Sequence, residues 1–214
     1  LDDNRSAVDF AHRLITGEVD IAVFLTGAGF QQLLAIVQRH VDRQRYLDAL
    51  SDIITIARGP KAAAAMKEAG LTPTFRVPEP NTWRQVLETI DESVPVSNQV
   101  VALQEYGRTN PSLIAGLEAG GARVLRVQVY RWELPEDRGP LVQNVRDLAE
   151  GRLDVLLFTS AYQVTALLQV ARDLGLADRV RRRLAETVVA AIGPTTSEAL
   201  RDEDLPVDIQ PEHS

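Results

Sequence analysis

Val155-Leu-Leu-Phe-Thr-Ser160, followed by Ala161-Tyr-Gln-Val164, reads as a buried strand that runs straight into a helix. The chain carries the stretch twice. Gly17-Glu-Val-Asp20-Ile-Ala-Val-Phe24-Leu-Thr26 matches Gly151-Arg-Leu-Asp154-Val-Leu-Leu-Phe158-Thr-Ser160 at a constant offset of 134 (155 − 21 = 134). The offset holds without a gap further on. Arg58-Gly59-Pro60-Lys61 falls on Ile192-Gly193-Pro194-Thr195, and Ala65 and Leu71 fall on Ala199 and Leu205. Identities and apolar pattern recur together, which marks an internal duplication and fixes the architecture.

Outward from this stretch, strands alternate with helices. Ile21–Leu25 is a continuous apolar run, as expected for a strand covered on both faces of a parallel sheet. The spacing of Ala7, Val8, Phe10, Ala11, Leu14 and Ile15 predicts a helix before it, ended by Gly17. Helices are predicted over 30–39, 43–50, 60–68, 82–91 and 111–119, with strands at 53–57, 74–77, 99–103 and 123–130. Pro60 suits a first helical position, where its missing N–H costs nothing. In the second copy, helices are expected over 141–150, 163–174 and 195–201, and strands at 155–158, 188–192 and 207–209. The run Arg179-Val-Arg-Arg-Arg183 reads as a solvated helix face. Alternation of this kind means βαβ units with right-handed crossovers in a parallel sheet.

The bounds from composition are simple. The 214 residues are enough for two α/β lobes, and 45% hydrophobic with 25% charged residues places the chain among globular proteins. A net charge of −7 argues against a nucleic acid or an anionic membrane as the general partner. The absence of Cys excludes disulfides, a thiol nucleophile and thiolate metal ligation, and fits a cytoplasmic location. His12, His40 and His213 have no metal-ligand spacing, and no Ser-His-Asp order appears. The sequence starts at Leu1 and stops at Ser214. The protein is expected to continue beyond both ends and to supply there the elements the second copy lacks.

Chemistry is expected beyond the carboxyl ends of the strands. Thr26, Arg58, Ser160 and Thr195 each follow a strand and precede a helix, where backbone N–H groups and the helix dipole attract anions. As single residues, Thr26 and Ser160 read equally as helix N-caps. As a duplicated set they read as two facing groups for a ligand with several negative charges. Lys61 is a further loop-end cation. Gly27 and Gly29 point to close backbone approach, but no Gly-Lys-Ser/Thr completes a P-loop. Tyr130 ends a strand at the lobe boundary. An unperturbed phenol (pKa ~10) is protonated at neutral pH and serves as a donor rather than a base.

Leu157-Phe-Thr-Ser160 with Val164, Ala190-Ala-Ile-Gly-Pro-Thr-Thr196 with Ala199-Leu200, Leu205-Pro-Val-Asp208 and Val129-Tyr130-Arg-Trp-Glu-Leu-Pro135 resemble the uroporphyrinogen-III synthase family. The resemblance covers essentially the whole chain. It implies two similar parallel-sheet, flavodoxin-like α/β lobes joined by a two-stranded β connector, with the active site in the inter-lobe cleft. The expected division is 1–126, a connector at 127–135, and 136–214. The implied reaction is cyclisation of the linear tetrapyrrole hydroxymethylbilane to uroporphyrinogen III, with loss of water and inversion of the last pyrrole ring. No cofactor or metal is implied. The partner would be this polycarboxylate small molecule, with no nucleic acid and no membrane, and the protein a monomer. Tyr130 matches the tyrosine that assists loss of the hydroxyl. Ser160 and Thr195 match polar residues of the second-copy motifs that contact substrate, Thr26 matches the equivalent position of the first copy, and Asn81-Thr82 matches a helix start facing the cleft. Arg58, Lys61 and Tyr106 are added as substrate-binding candidates from their own positions in the chain. The first copy departs from the family pattern at Leu25-Thr26-Gly27, where many members carry Thr-Ser-Pro, and at Arg58. Two alternatives stand beside this reading: a non-catalytic polyanion-binding or regulatory module of the same fold, and a flavin- or nucleotide-binding protein.

Overall fold

A run such as Ile21–Phe24 has no polar residue to turn toward water, so it is stable only inside a sheet covered on both faces. In the computed structural model, which describes residues 4–107, 109–131 and 133–211, that is its position. The chain divides into two compact units, Leu1–Trp132 and Glu133–Ser214. The first contains α1 (Arg5–Ile15), β1 (Ile21–Phe24), α2 (Gly27–Val37), α3 (Arg43–Ser51), β2 (Ile54–Ala57), α4 (Pro60–Glu68), β3 (Phe75–Arg76), α5 (Trp83–Ser93), β4 (Val100–Gly107), α6 (Pro111–Ala119) and β5 (Arg123–Arg131). Its five strands are all parallel, in the order β3-β2-β1-β4-β5. One face buries Phe10, Phe24, Phe30, Leu33, Tyr46 and Met66 under α1 to α4. The other buries Ile21, Val23, Ile56, Val86, Leu103 and Leu113 under α5 and α6.

This order differs from the flavodoxin-like expectation. A flavodoxin sheet runs 2-1-3-4-5, whereas 3-2-1-4-5 is the order of the dinucleotide-binding doubly wound sheet. The difference arises at β3. Thr55 and Thr74 donate their backbone N–H groups to each other's hydroxyls, at 3.0 and 3.1 Å, which pins a third strand on the outer edge of β2. Only after that does the chain cross back over β1. Val127–Arg131, assigned to the β connector by the resemblance, are strand, in line with the strand expected at 123–130. These residues continue β5, with Arg131 registered on Gly107 of β4.

The second unit contains α7 (Gly139–Ala149), β6 (Val155–Phe158), α8 (Ala161–Asp173), α9 (Ala177–Leu184), β7 (Val188–Ala191) and α10 (Pro194–Arg201). Displaced by 134, it reproduces the first unit from α1 to β3. The pairing Ile21↔Ile54 becomes Val155↔Val188, and Ile56↔Phe75 becomes the bridge Ala190↔Ile209. The Thr55 N–H donated to Thr74 Oγ1 becomes the Val189 N–H donated to Asp208 Oδ2 at 2.7 Å. Phe24, Leu33, Leu50 and Ala57 become Phe158, Leu167, Leu184 and Ala191, all buried. One expectation is corrected here. Residues 207–209 form a single bridge rather than a strand. The Arg179–Arg183 run is paired as well as solvated, Arg181 with Glu203 at 2.9 Å and Arg183 with Glu186 at 2.5 Å.

The copies part company on the second face of the sheet. Ile21 and Val23 are at most 1% exposed, but their counterparts Val155 and Leu157 are 58% and 60% exposed. In the first unit that face is closed by α5, β4 and α6. Among the described residues, the second unit has no counterpart of these elements.

Tyr46 is fully buried edge-on against Phe10, ring centroids 6.2 Å apart, and burial pushes its phenol up. Among the described residues its hydroxyl has no hydrogen-bond partner. A buried unpaired hydroxyl costs about 1–3 kcal/mol. Tyr46→Phe is therefore expected to stabilise the protein by about 1 kcal/mol, read as a higher urea midpoint with unchanged slope.

Candidate active site

In a doubly wound sheet the crevice opens at the carboxyl ends of the two strands where the chain reverses direction. Here those strands are β1 and β4: from β1 the chain proceeds outward to β2, and from β4 to β5. The residues leaving them are Thr26 on one side and Gln104 to Gly107 on the other, with Phe24 registered on Gln104. Thr26 is thus placed at the switch point. Its extended backbone caps α2, and its Oγ1 accepts the Gly29 N–H at 3.0 Å.

The other predicted residues of this unit gather along the same sheet edge. Arg58 follows β2, half-buried, its N–H donated to Phe24 O at 2.9 Å. Lys61 is exposed in the first turn of α4. Asn81 adopts a left-handed φ of 57° and packs on Gly59, where an added Cβ would lie 3.1 Å from its Cγ. Gly59 itself has φ 82°, a conformation that suits only glycine at low cost. Thr82 is buried, and a capping box engages its hydroxyl with Gln85 Oε1 at 2.5 Å and the Arg84 N–H at 3.3 Å. Its contribution to a site is therefore the orientation of α5 rather than a side-chain contact. Arg84 lies over the Trp83 ring, 4.3 Å from the centroid, adding positive charge to that helix start. The side chains of Tyr106 and Tyr130 lie outside the described residues.

Gly27 is needed because α2 starts against the first turn of α4. A Cβ there would fall well inside contact of the Lys61 carbonyl, a backbone atom that cannot swing away. Ala161 stands at the corresponding place in the second copy, so this closeness belongs to the first unit alone. Gly27→Ala is expected to destabilise by about 1–2 kcal/mol, overpacking outweighing the gain in helix propensity. Ala161→Gly should cost about 0.5–1 kcal/mol through propensity alone. Paired urea melts of the two variants check this.

Two site residues that pattern reading passes over are Gln104 and Glu105, each 1% exposed at the end of β4. Adjacent strand residues point to opposite faces. Gln104 faces α2, its Oε1 accepting the Thr26 N–H at 3.3 Å. Glu105 faces the α6 side, where Arg126 of β5 donates Nε to its Oε1 at 2.9 Å and Nη2 to its Oε2 at 3.3 Å. Arg126 also donates to Thr109 Oγ1, tying the turn between β4 and α6 to the same carboxylate. The hydrogen bond to Glu105 raises the Arg126 pKa further above its ordinary value. The sequence signal was weak: the expected strand stopped at Leu103, its last apolar residue.

In the second unit Ser160 and Thr195 recur at strand-end turns. Ser160 has the backbone of Thr26 (φ −157°, ψ 151°) but its hydroxyl makes no capping bond. Gln163 Oε1 instead accepts the Thr159 N–H at 2.7 Å. Thr195 is half-buried in the first turn of α10, directly after Pro194. Tyr162, next to Ser160's helix start, is held protonated: burial and the Glu133 carboxylate push its phenol up against the opposing effect of Arg138. Among the described residues no group of His, Asp and Glu could hold a metal, and no helix is long and apolar enough to cross a membrane.

Fold and sites together define a duplicated parallel α/β protein that presents polar strand-end turns and helix N-termini in each copy. The family model described as uroporphyrinogen-III synthase HemD matches residues 2–214. The chain belongs to the uroporphyrinogen-III synthase family. It is 30% identical over 196 residues to the uncharacterized protein YjjA of Bacillus subtilis, covering 91% of this chain and 72% of that one. It is 41% identical over 106 residues to uroporphyrinogen-III synthase of Chlorobaculum parvum, covering 49% of this chain and 38% of that one. Among solved structures it is similar to a mutant uroporphyrinogen III synthase of Thermus thermophilus, with TM-score 0.72 and 30% identity, covering 95% of this chain and 76% of that one. Family and fold support a role in tetrapyrrole biosynthesis.

Proposed function

We propose that the chain converts hydroxymethylbilane to uroporphyrinogen III. The observation that carries this reading is the family match over residues 2–214. The placement of Thr26 at the switch point of the first sheet, with its duplicate Ser160 after β6, supports it. A linear tetrapyrrole bearing eight carboxylates needs many weak anion contacts. Each exposed helix terminus contributes only about 0.3–1 kcal/mol, so several must act on one ligand. Thr26, Arg58, Lys61, Asn81 and Tyr106 would act from the first lobe, with Thr82 orienting α5, and Ser160 and Thr195 from the second.

Catalysis on this reading is mainly positioning. Tyr130 donates a proton to the terminal hydroxyl, which leaves as water and creates an azafulvenium carbon. The substituted carbon of the last ring attacks it, forming a spiro intermediate. That intermediate reopens and closes at the other carbon, and a proton returns to the phenolate as the ring regains aromaticity. The net change is loss of one water, without oxidant, metal or cofactor.

The test is an assay fed with freshly made hydroxymethylbilane, separating the two uroporphyrinogen isomers. The expected product is isomer III. Exclusive isomer I, which forms spontaneously, would leave the polyanion-binding, non-catalytic reading in its place.

A further inference from the structure

The proposed mechanism leaves Gln104 unused, although it is the buried polar side chain nearest the turn that mechanism relies on. Its Oε1 accepts the Thr26 N–H at 3.3 Å, and its Nε2 donates to the Glu105 carbonyl oxygen. Gly29 lies against the amide, and a Cβ there would overlap Nε2, Cδ and Oε1 together. The Gly29 N–H is taken in turn by Thr26 Oγ1. Both ends of the turn are thereby held, the start by an amide from the neighbouring strand and the far end by the cap. Gly27 and Ala28 between them are left in one orientation, against α4 through the Lys61 carbonyl.

We propose that Gln104 is a positioning residue: it fixes the Thr26–Gly29 turn at the switch point so that the turn is preset for the carboxylate-bearing substrate. The inference rests on the functional reading above. A side chain that only fills core space would be replaceable by leucine, whose volume is similar and which needs no partner. An amide that orients a binding turn is not. Removing it takes away the bond from the neighbouring strand and lets the turn sample orientations that the substrate must then select against, which weakens binding more than it slows the chemical step.

The experiment uses the full chain and steady-state formation of uroporphyrinogen III. Gln104→Leu is expected to raise KM about tenfold with kcat within about twofold of the parent. Gly29→Ala should act in the same sense, because its methyl group displaces the end of a flexible side chain rather than backbone. The double variant should be no worse than Gln104→Leu alone, since both changes remove one interaction. Circular dichroism and thermal midpoints establish that each variant is folded. Should Gln104→Leu fail to fold, Gly29→Ala carries the same KM test. A KM within twofold of the parent in folded variants, or additive effects in the double, overturns the inference and leaves Gln104 a packing residue. A parent chain that yields only isomer I overturns the functional reading and this inference with it.

Discussion

Tyr130→Phe is expected to lower kcat for uroporphyrinogen III by about 100-fold or more, with the thermal midpoint nearly unchanged. General acid catalysis by a placed side chain contributes typically 10²–10⁴-fold, and the substitution removes the acidic group alone. Phenylalanine keeps the ring, so strand β5, in which Tyr130 is the penultimate residue, keeps its β-propensity and its ladder. The loss should fall on kcat rather than KM, because a proton donated as the hydroxyl departs is a transition-state interaction. Spontaneous formation of isomer I continues in the background, so the product ratio reports the defect directly. A variant with parental turnover would remove Tyr130 from the mechanism and move the donor role to another group, for which Tyr162, two residues after Ser160 in sequence, is the next phenol to replace.

Arg126→Leu is expected to destabilise the first unit by about 2–4 kcal/mol, measured as a lower urea midpoint. The pair is asymmetric. Arg126 has half its side chain in solvent, whereas the Glu105 side chain is 1% exposed. Screening makes the attraction itself modest. The cost comes from stranding a carboxylate inside the sheet edge without either of its two guanidinium hydrogen bonds. Arg126→Lys should recover part of the loss, since a single ammonium cannot reproduce the fork that reaches both carboxylate oxygens. Glu105→Leu combined with Arg126→Leu should be milder than Arg126→Leu alone, because no buried charge remains. An Arg126→Leu variant as stable as the parent would show that Glu105 finds another partner. The same substitution should loosen the turn after β4, through the lost contact with Thr109.

Much of the architecture is legible in the sequence because its determinants are local. Apolar runs of four residues after Gly17-Glu-Val-Asp20 and Gly151-Arg-Leu-Asp154 read as strands, and both are, although the burial expected of the second holds for Phe158 and not for Val155 and Leu157. Pro60 and Pro194 each start a helix. The duplication at offset 134 carries this further than single motifs do, since the copies agree in strand register and in the residues of one core. Four of the nine candidate residues come from the same local reading: Thr26, Ser160, Arg58 and Thr195 follow strand ends, where parallel sheets place ligands. What pattern reading misses is polar and buried. Gln104 and Glu105 look like the end of a strand, because burial of a polar side chain depends on partners that periodicity does not contain.

The sequence by itself therefore determined that this protein is a duplicated α/β chain of the uroporphyrinogen-III synthase kind, because strands, caps and the repeat are written within short windows. The tertiary structure alone decided the rest. The strand order 3-2-1-4-5 sets the reversal between β1 and β4 and so singles out Thr26 among the strand-end residues. Gln104 meets Thr26 across 78 positions of sequence, and Arg126 meets Glu105 across 21. Ser160, alike in sequence and backbone to Thr26, keeps a hydroxyl that its copy spends on a cap. Such differences follow from which side chains the fold brings within hydrogen-bonding distance, and that is a property of the packed sheet rather than of any segment of it.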